Sequence, residues 1–345
     1  MAPMTSSDPN AASLLALVAA HGGTATGISV RASGSERGLF ADVAFASGAE
    51  ILVVPPSLIV ASPAVAASAA GARLRRVLGS DADPALLAFW LTGALAGPAP
   101  APVAAWCALL PTRLDHLPVH YGKRGRDALD GTAFLGRVDA RRARLAEEHA
   151  LLVEAGLLTP ETCSIAAWSH ARSLATSRSF GTPDGEALVP IADLLNHHPD
   201  PGTTWTCDAR RGFVLRTTRP LPADSEIRTS YGRKSNARLL LAYGFTLPDN
   251  PDLDMELSLG ELGAFRLGLS TEDAEARRLL TALGAETGAD ARARALHAFA
   301  GLCRRRLAAL PEKGAEAPPG DPLAGANTIR EEEGTILGAW ARLCG

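Results

Sequence analysis

Two short phrases hold most of the residues that could do chemistry. The first, LVPIADLLNHHPD, runs from Leu188 to Asp200 and places Asp193, Asn196 and His197 at the end of an apolar segment. The second, EIRTSYGRKSNARLLLAYGF, runs from Glu226 to Phe245 and sets Tyr231 at the close of a β-rich stretch. Polar groups gathered against buried strands are what a small-ligand site requires. Several chemistries are excluded by spacing. The adjacent side chains of His197 and His198 diverge, and no carboxylate or cysteine follows at a ligand's usual spacing, so no metal site is expected. There is no G-x-G-x-x-G after a strand, no Walker A loop, no H-E-x-x-H and no G-x-S-x-G. A Rossmann-type enzyme is disfavoured for want of an early Gly-rich strand-turn-helix. Taken singly, the residues also have plain structural readings. His197 can be a core histidine satisfied by backbone, Arg178 an exposed helix end favoured by the dipole, and Tyr231 a strand-end aromatic with its hydroxyl in water.

Taken in order, Arg178, Pro190, Asp193, Asn196, His197, Tyr231, Ser235, Asn236, Tyr243, Gly244 and Phe245 form a pattern. It resembles the C-terminal half of a SET domain, of the branch that includes the Rubisco large-subunit lysine methyltransferase and the actin-histidine methyltransferase. That branch carries an Arg, then Pro-x-x-Asp-x-x-Asn-His, then Tyr-Gly-x-x-Ser-Asn and Tyr-Gly-Phe; several such phrases in order are far more specific than one. Upstream, Arg37-Gly38-Leu39-Phe40-Ala41 resembles the N-terminal SET motif, where backbone around the glycine holds the cofactor. By itself this piece reads first as a plain hairpin turn, and the pair Glu36-Arg37 stands where the family often has glycine.

The resemblance implies an α+β fold: a SET domain of small curved β-sheets with a knotted C-terminal thread, a helical insertion and a C-terminal α-helical domain. It implies S-adenosylmethionine as cofactor and methyl transfer to a lysine nitrogen of a non-histone protein, bound between the SET domain and the C-terminal helices. Tyr231 is then the catalytic hydroxyl facing methyl and amine. The cofactor contacts so implied are Glu36, Arg37, Gly38, Arg178, Asp193, Asn196, His197, Tyr243, Gly244 and Phe245. Arg178 would pair with the cofactor carboxylate, Asn196 and His197 would hold the methionyl amine and adenine, and Asp193 would order the loop. Tyr243 is a channel wall or, equally, a core aromatic. A lysine amine, with an ordinary pKa of about 10.4, must lose a proton before it attacks, which a dry channel beside a sulfonium favours. Histidine as acceptor, and a non-catalytic module that keeps the pocket, are the alternatives.

These residues need positioning by β-rich halves with helix between. AASLLALVAA, Ala11 to Ala20, reads as a first helix, opened by the polar residues before it and closed by Gly22-Gly23. It is too short to span a bilayer and has no basic lead-in, so neither an anchor nor a signal peptide is expected. Short strands follow, around Val30, Leu39–Val43 and Ile51–Val54. From about 63 to 170 apolar residues recur three and four apart, a helical insertion, with Thr159-Pro160-Glu161 as a helix start. Trp205 to Thr217 alternates about an Arg-Arg-Gly turn, a hairpin. The domains so read are 1–249, catalytic, and 250–345, a helical C-terminal domain containing Ile336, Leu337 and Trp340.

Composition closes off other classes. A formal charge of −3 over 345 residues gives no global pull towards nucleic acid or anionic membrane. The basic run Lys123, Arg124, Arg126, Arg137, Arg141, Arg142 and Arg144 reads first as a solvated helical face answered by Glu147 and Glu148, and second as a dock for an acidic partner. Five scattered cysteines without a C-x-x-C pair argue against a disulfide framework or structural zinc, and for a reduced, intracellular, cytoplasmic setting with nucleus or organelle left open. A monomer is expected.

Overall fold

The computed structural model describes residues 9–33, 36–270, 273–284, 289–312, 314–318 and 320–345. The chain divides into two compact units, Met1–Arg113 with Leu145–Gly232, and Leu114–Arg144 with Arg233–Gly345. The division differs from the boundary read at 249/250 and from an insertion lying wholly in the first domain. The reason is packing: Leu129, Phe134 and Val138 share a buried cluster with Ala237, Leu240, Ala326 and Ile329, so the middle of the helical stretch belongs to the second unit's core.

Among the described residues, ten strands in three small sheets make the frame of the first unit: β1 (Ile28–Ser33), β2 (Glu36–Ala41), β3 (Glu50–Val54), β4 (Val60–Ala61), β5 (Ser179–Thr182), β6 (Gly185–Leu188), β7 (Asn196–His197), β8 (Thr203–Asp208), β9 (Gly212–Thr217) and β10 (Glu226–Thr229). Their orders are β1-β2-β10-β7, β3-β9-β8 and β4-β6-β5. The β8–β9 hairpin forms where the alternation places it, pairing Asp208 with Gly212 through Thr203 with Thr217. Its aromatics close the sheet: Trp205 stacks on Phe213 at 5.4 Å and Phe180 meets both edge-on.

The helices of this unit are α1 (Pro9–Ala20), α2 (Ser62–Ala66), α3 (Ala69–Leu78), α4 (Asp83–Ala96) and α5 (Ala101–Cys107). In the middle stretch, α6 (Lys123–Ala128) belongs to the second unit and α7 (Ala133–Glu154) runs from one unit into the other, while α8 (Ile165–Arg178) is again in the first. The first helix stands as read; the polar lead-in at residues 6–8 lies outside the described residues. The helix start read at Thr159 does not. Thr159 and Thr162 bond each other in a closed turn, and α8 begins six residues later, where Ser164 accepts from the Ala167 amide. The two threonines make the reciprocal bonds of a capping box, but the single turn they close is not continued as a helix.

In the second unit, β11 (Met255–Ser258) and β12 (Ala264–Leu267) pair antiparallel, followed by α10 (Ala274–Ala282), α11 (Ala289–Ala309) and α12 (Pro322–Leu343), with α9 (Asn236–Tyr243) before them. The expected C-terminal helices are present, and the unit also holds this two-stranded sheet. Met255, Leu257, Phe265 and Leu267 face inward at period two and pack on Leu279, Phe299, Ile336 and Trp340. Among the described residues no single helix is long and apolar enough to cross a membrane; α4 and α5 pass only as a pair bent by 98°, and α4 buries Leu86, Leu87 and Leu91 in the protein.

Candidate active site

The site is built where β2, β10 and β7 lie side by side. Phe40 pairs with Glu226 and Leu39 with Ile227 in the antiparallel direction, while Asn196 pairs with Arg228 and His197 with Thr229 in parallel. The register sets Asn196 opposite Arg228 and Glu226 opposite Phe40, and the side chains of Asn196 and Glu226 meet beside Gly38. Asn196 Nδ2 donates to the Arg37 carbonyl at 3.2 Å and to Glu226 Oε1 at 2.7 Å. Glu226 Oε1 also accepts from Ser33 Oγ at 2.9 Å, and Oε2 from Arg228 Nε and Nη2 at 2.8 and 2.6 Å. Burial alone would raise the Glu226 carboxyl, but the hydrogen bonds from Asn196, Arg228 and Ser33 prevail and hold it below the ordinary value. A Cβ on Gly38 would lie 2.5 Å from Glu226 Oε1 and 3.0 Å from Asn196 Nδ2, so this approach requires glycine.

Beside it, the Tyr231 amide donates to His197 Nδ1 at 3.0 Å, which makes that nitrogen the unprotonated one. The two rings lie 5.1 Å apart, tilted by 34°. The Tyr231 hydroxyl donates to the Leu195 carbonyl at 2.8 Å. Its proton being committed, that oxygen meets any further hydrogen as an acceptor.

A second polar pair lies behind the first. Ile191 has φ of 72°, which a β-branched residue rarely tolerates. It turns the chain into the short 3-10 segment Ala192–Leu194 and drives Asp193 inward. The Asp193 side chain is 1% exposed; Trp106 Nε1 donates to Oδ2 at 3.1 Å, and Arg178 Nη1 donates to the Asp193 carbonyl at 2.8 Å and to Oδ2 at 3.4 Å. Burial pushes the Asp193 carboxyl up despite Arg178 and Trp106. Arg178 Nε and Asp193 Oδ1 are buried with no partner among the described residues.

A scan against protein-family models finds no match. The crystal structure of the SET domain of LSMT bound to lysine and AdoHcy superposes with a TM-score of 0.81 at 18% identity, over 99% of this chain and 92% of that one. Rubisco LSMT bound to AdoMet gives 0.77 at 18% identity, over 98% and 92%. The chain has the SET-domain fold of the Rubisco-type lysine methyltransferases. Sequence likeness is local: 36% identity over 66 residues with the ribosomal lysine N-methyltransferase set10 of Schizosaccharomyces pombe, 19% of this chain and 12% of the relative. SET domain-containing protein 4 of Mus musculus is 34% identical over 102 residues, 29% and 23%. The matched stretches therefore span less than a quarter of these relatives' lengths.

The SET fold brings Arg37, Gly38, Asn196, His197 and Tyr231 together, with Arg178 and Asp193 behind them. Arg37 takes part through its carbonyl; its guanidinium turns away to the Leu109 carbonyl. Glu36 opens β2 opposite Ser33, and its side chain lies outside the described residues. Arg178 is not the exposed helix end of the plain reading: its side chain is 20% exposed and aims at Asp193. Tyr243, Gly244 and Phe245 belong to the second unit. There the Tyr243 ring lies 6.2 Å from Phe245 and 5.9 Å from Lys234 Nζ. Gly244 ends α9 at φ 81°, where a Cβ would meet His116 at 2.4 Å. Among the described residues no metal-binding group forms, and His198 is spent on the Asp200 amide.

Glu226 and Trp106 escaped the sequence reading. Glu226 had a signal, a carboxylate on the strand that ends two residues before Tyr231; Trp106 had none. S-adenosylmethionine suits the donor set present. Arg178 Nε is an uncommitted buried donor for a carboxylate, and Asn196 Oδ1 meets no donor among the described residues.

Proposed function

We propose that the chain is an S-adenosylmethionine-dependent protein-lysine N-methyltransferase acting on a non-histone protein. The observation that carries this is the Tyr231 hydroxyl, donated to Leu195 O beside the Asn196–His197 strand. An acceptor oxygen there can orient an incoming amine and meet methyl C–H groups, contacts worth about 0.5–1 kcal/mol each. Bound S-adenosylmethionine supplies the electrophilic methyl. Asn196, Gly38 and the Arg37 backbone hold the aminoacyl end, and Arg178 its carboxylate. The relatives' names point to lysines of ribosomal proteins and the structural neighbours to Rubisco, which supports a protein substrate over nucleic acid or lipid. Five unpaired cysteines fit a reducing, cytoplasmic setting, and we take the enzyme to act as a monomer.

The test is labelled methyl transfer into a cell extract, with mass spectrometry of the modified residue. Tyr231→Phe should bind cofactor as the parent does and lose on the order of 10²–10³ in kcat. Parent-level transfer by a folded Tyr231→Phe protein, or methyl groups found on histidine, would overturn the assignment.

A further inference from the structure

We propose that Glu226 is a positioning residue that fixes the polarity of the Asn196 amide and so selects a ligand bearing a cationic amine; this rests on the cofactor reading above. An asparagine side chain offers two N–H donors and one acceptor oxygen. Here both donations go to the chain's own oxygens, the Arg37 carbonyl and Glu226 Oε1. The reversed amide would set Oδ1 against a carbonyl and a carboxylate with no hydrogen between them, so this cluster determines the orientation. Oδ1 is left as the group Asn196 offers a ligand, and it can only accept.

Glu226 adds a charge. Its two oxygens are shared among Asn196, Ser33 and Arg228, and its side chain is 9% exposed where Arg228's is 41%. The carboxylate stands on the inner side of the pair, against Gly38, whose missing Cβ permits the approach. An acceptor oxygen braced by a buried carboxylate suits an ammonium and disfavours a neutral or anionic group. Arg37, the remaining cation of the segment, directs its guanidinium to Leu109.

The experiment is calorimetric titration of the full chain with S-adenosylhomocysteine and with its deamino analogue, in which hydrogen replaces the α-amino group. The parent should bind the deamino compound roughly tenfold to a hundredfold more weakly. In Glu226→Ala that ratio should fall to within about threefold, because Asn196 is released to turn and the charge is gone. Glu226→Gln, which keeps shape and a possible acceptor for Asn196, should give a ratio in between and serves as the reading if the alanine variant does not fold. Folded variants that keep the parent's full ratio would overturn the proposal and leave Glu226 a strand-pairing residue. A parent that binds S-adenosylhomocysteine but not more tightly than the deamino compound overturns it too. A parent that binds neither fails at the cofactor reading itself, a distinct result.

Discussion

The two units each contain an asparagine that donates to a glutamate at 2.7 Å, Asn196 to Glu226 in the first and Asn236 to Glu332 in the second. The two carboxyls nevertheless move in opposite directions. Glu226 has Ser33 and Arg228 as further donors and lies below its ordinary value in spite of burial. Burial raises Glu332 to about 7; Asn236 opposes this, and Asp254, Glu331 and Glu333 reinforce it. Glu332 Oε2 is buried with no hydrogen-bond partner among the described residues. One hydrogen bond therefore does not decide whether a buried acid stays ionised. The remaining lone pairs and the sign of the neighbouring charges do. Asn236 is also a hub, bonding Leu247 on both its amide and carbonyl and accepting from Asn250.

The largest test of that distinction is to remove the cation from an acid that has one. Arg172 and Glu148 form a two-pronged pair at 2.7 and 3.0 Å, 3% and 9% exposed. Arg172→Met should cost about 3–5 kcal/mol in urea unfolding at pH 8, since it leaves a buried carboxylate without its guanidinium. Adding Glu148→Gln should recover most of the loss. If the single and double variants are equally unstable, packing of the arginine stem rather than charge compensation holds that site.

A smaller effect should appear as opposite pH slopes. Glu332 has a folded value, about 7, above its unfolded one, so its stabilising contribution is complete below pH 4.5 and is lost as pH rises through 7. The full shift would correspond to about 3 kcal/mol; screening of a partly exposed group reduces it to about 1–2 kcal/mol. Glu333, raised by burial against its bonds to the Ala133 and Phe134 amides, adds with the same sign, and the Arg137–Asp254 pair faces the same cluster. Glu332→Gln should flatten unfolding free energy between pH 5 and 8. Glu226 has the reverse sign: its contribution is present above the unfolded value and lost as pH falls through the folded one. Glu226→Gln should therefore remove stability at neutral pH and little of it in acid. Slopes of the same sign from both variants would contradict the comparison.

Much of the first cluster was legible in sequence because its parts are local. Asn196-His197 and Tyr231 each sit in a short phrase, and alternation located the hairpin from Trp205 to Thr217, two residues short of its start at Thr203. What was not legible depends on partners distant in the chain. Glu226 meets Asn196 through a two-residue parallel pairing, and no periodicity announces that. Glu148 was read as a surface partner for nearby arginines, whereas α8 brings Arg172 onto it and buries both. Arg124 and Arg126 do find acids at the surface, Asp321 and Asp139, whereas Arg137 and its partner Asp254 are largely buried. Arg142 instead serves the Val119 and Tyr121 carbonyls. The β11–β12 hairpin was obscured by the prolines and aspartates around it, although its inward residues alternate.

The smallest expected effect asks whether the second pair depends on the helix that presents it. Ser235 caps α9, its Oγ accepting from the Arg238 amide, and it is 4% exposed. Asn236 is the first residue of that helix, so the cap and the Asn236–Glu332 bond share one turn of backbone. Ser235→Ala should cost about 1 kcal/mol, in the range of a lost N-cap. Ser164→Ala, at the exposed cap of α8, should cost the same or less. Neighbouring sites on one network couple, so Ser235→Ala with Glu332→Gln should depart from additivity by about 0.5 kcal/mol or more, while Ser164→Ala with Glu332→Gln should add. Strict additivity in both pairs would mean that α9 holds Asn236 in place without its cap. The raised Glu332 carboxyl would then follow from its burial and from Asp254, Glu331 and Glu333, independently of the cap.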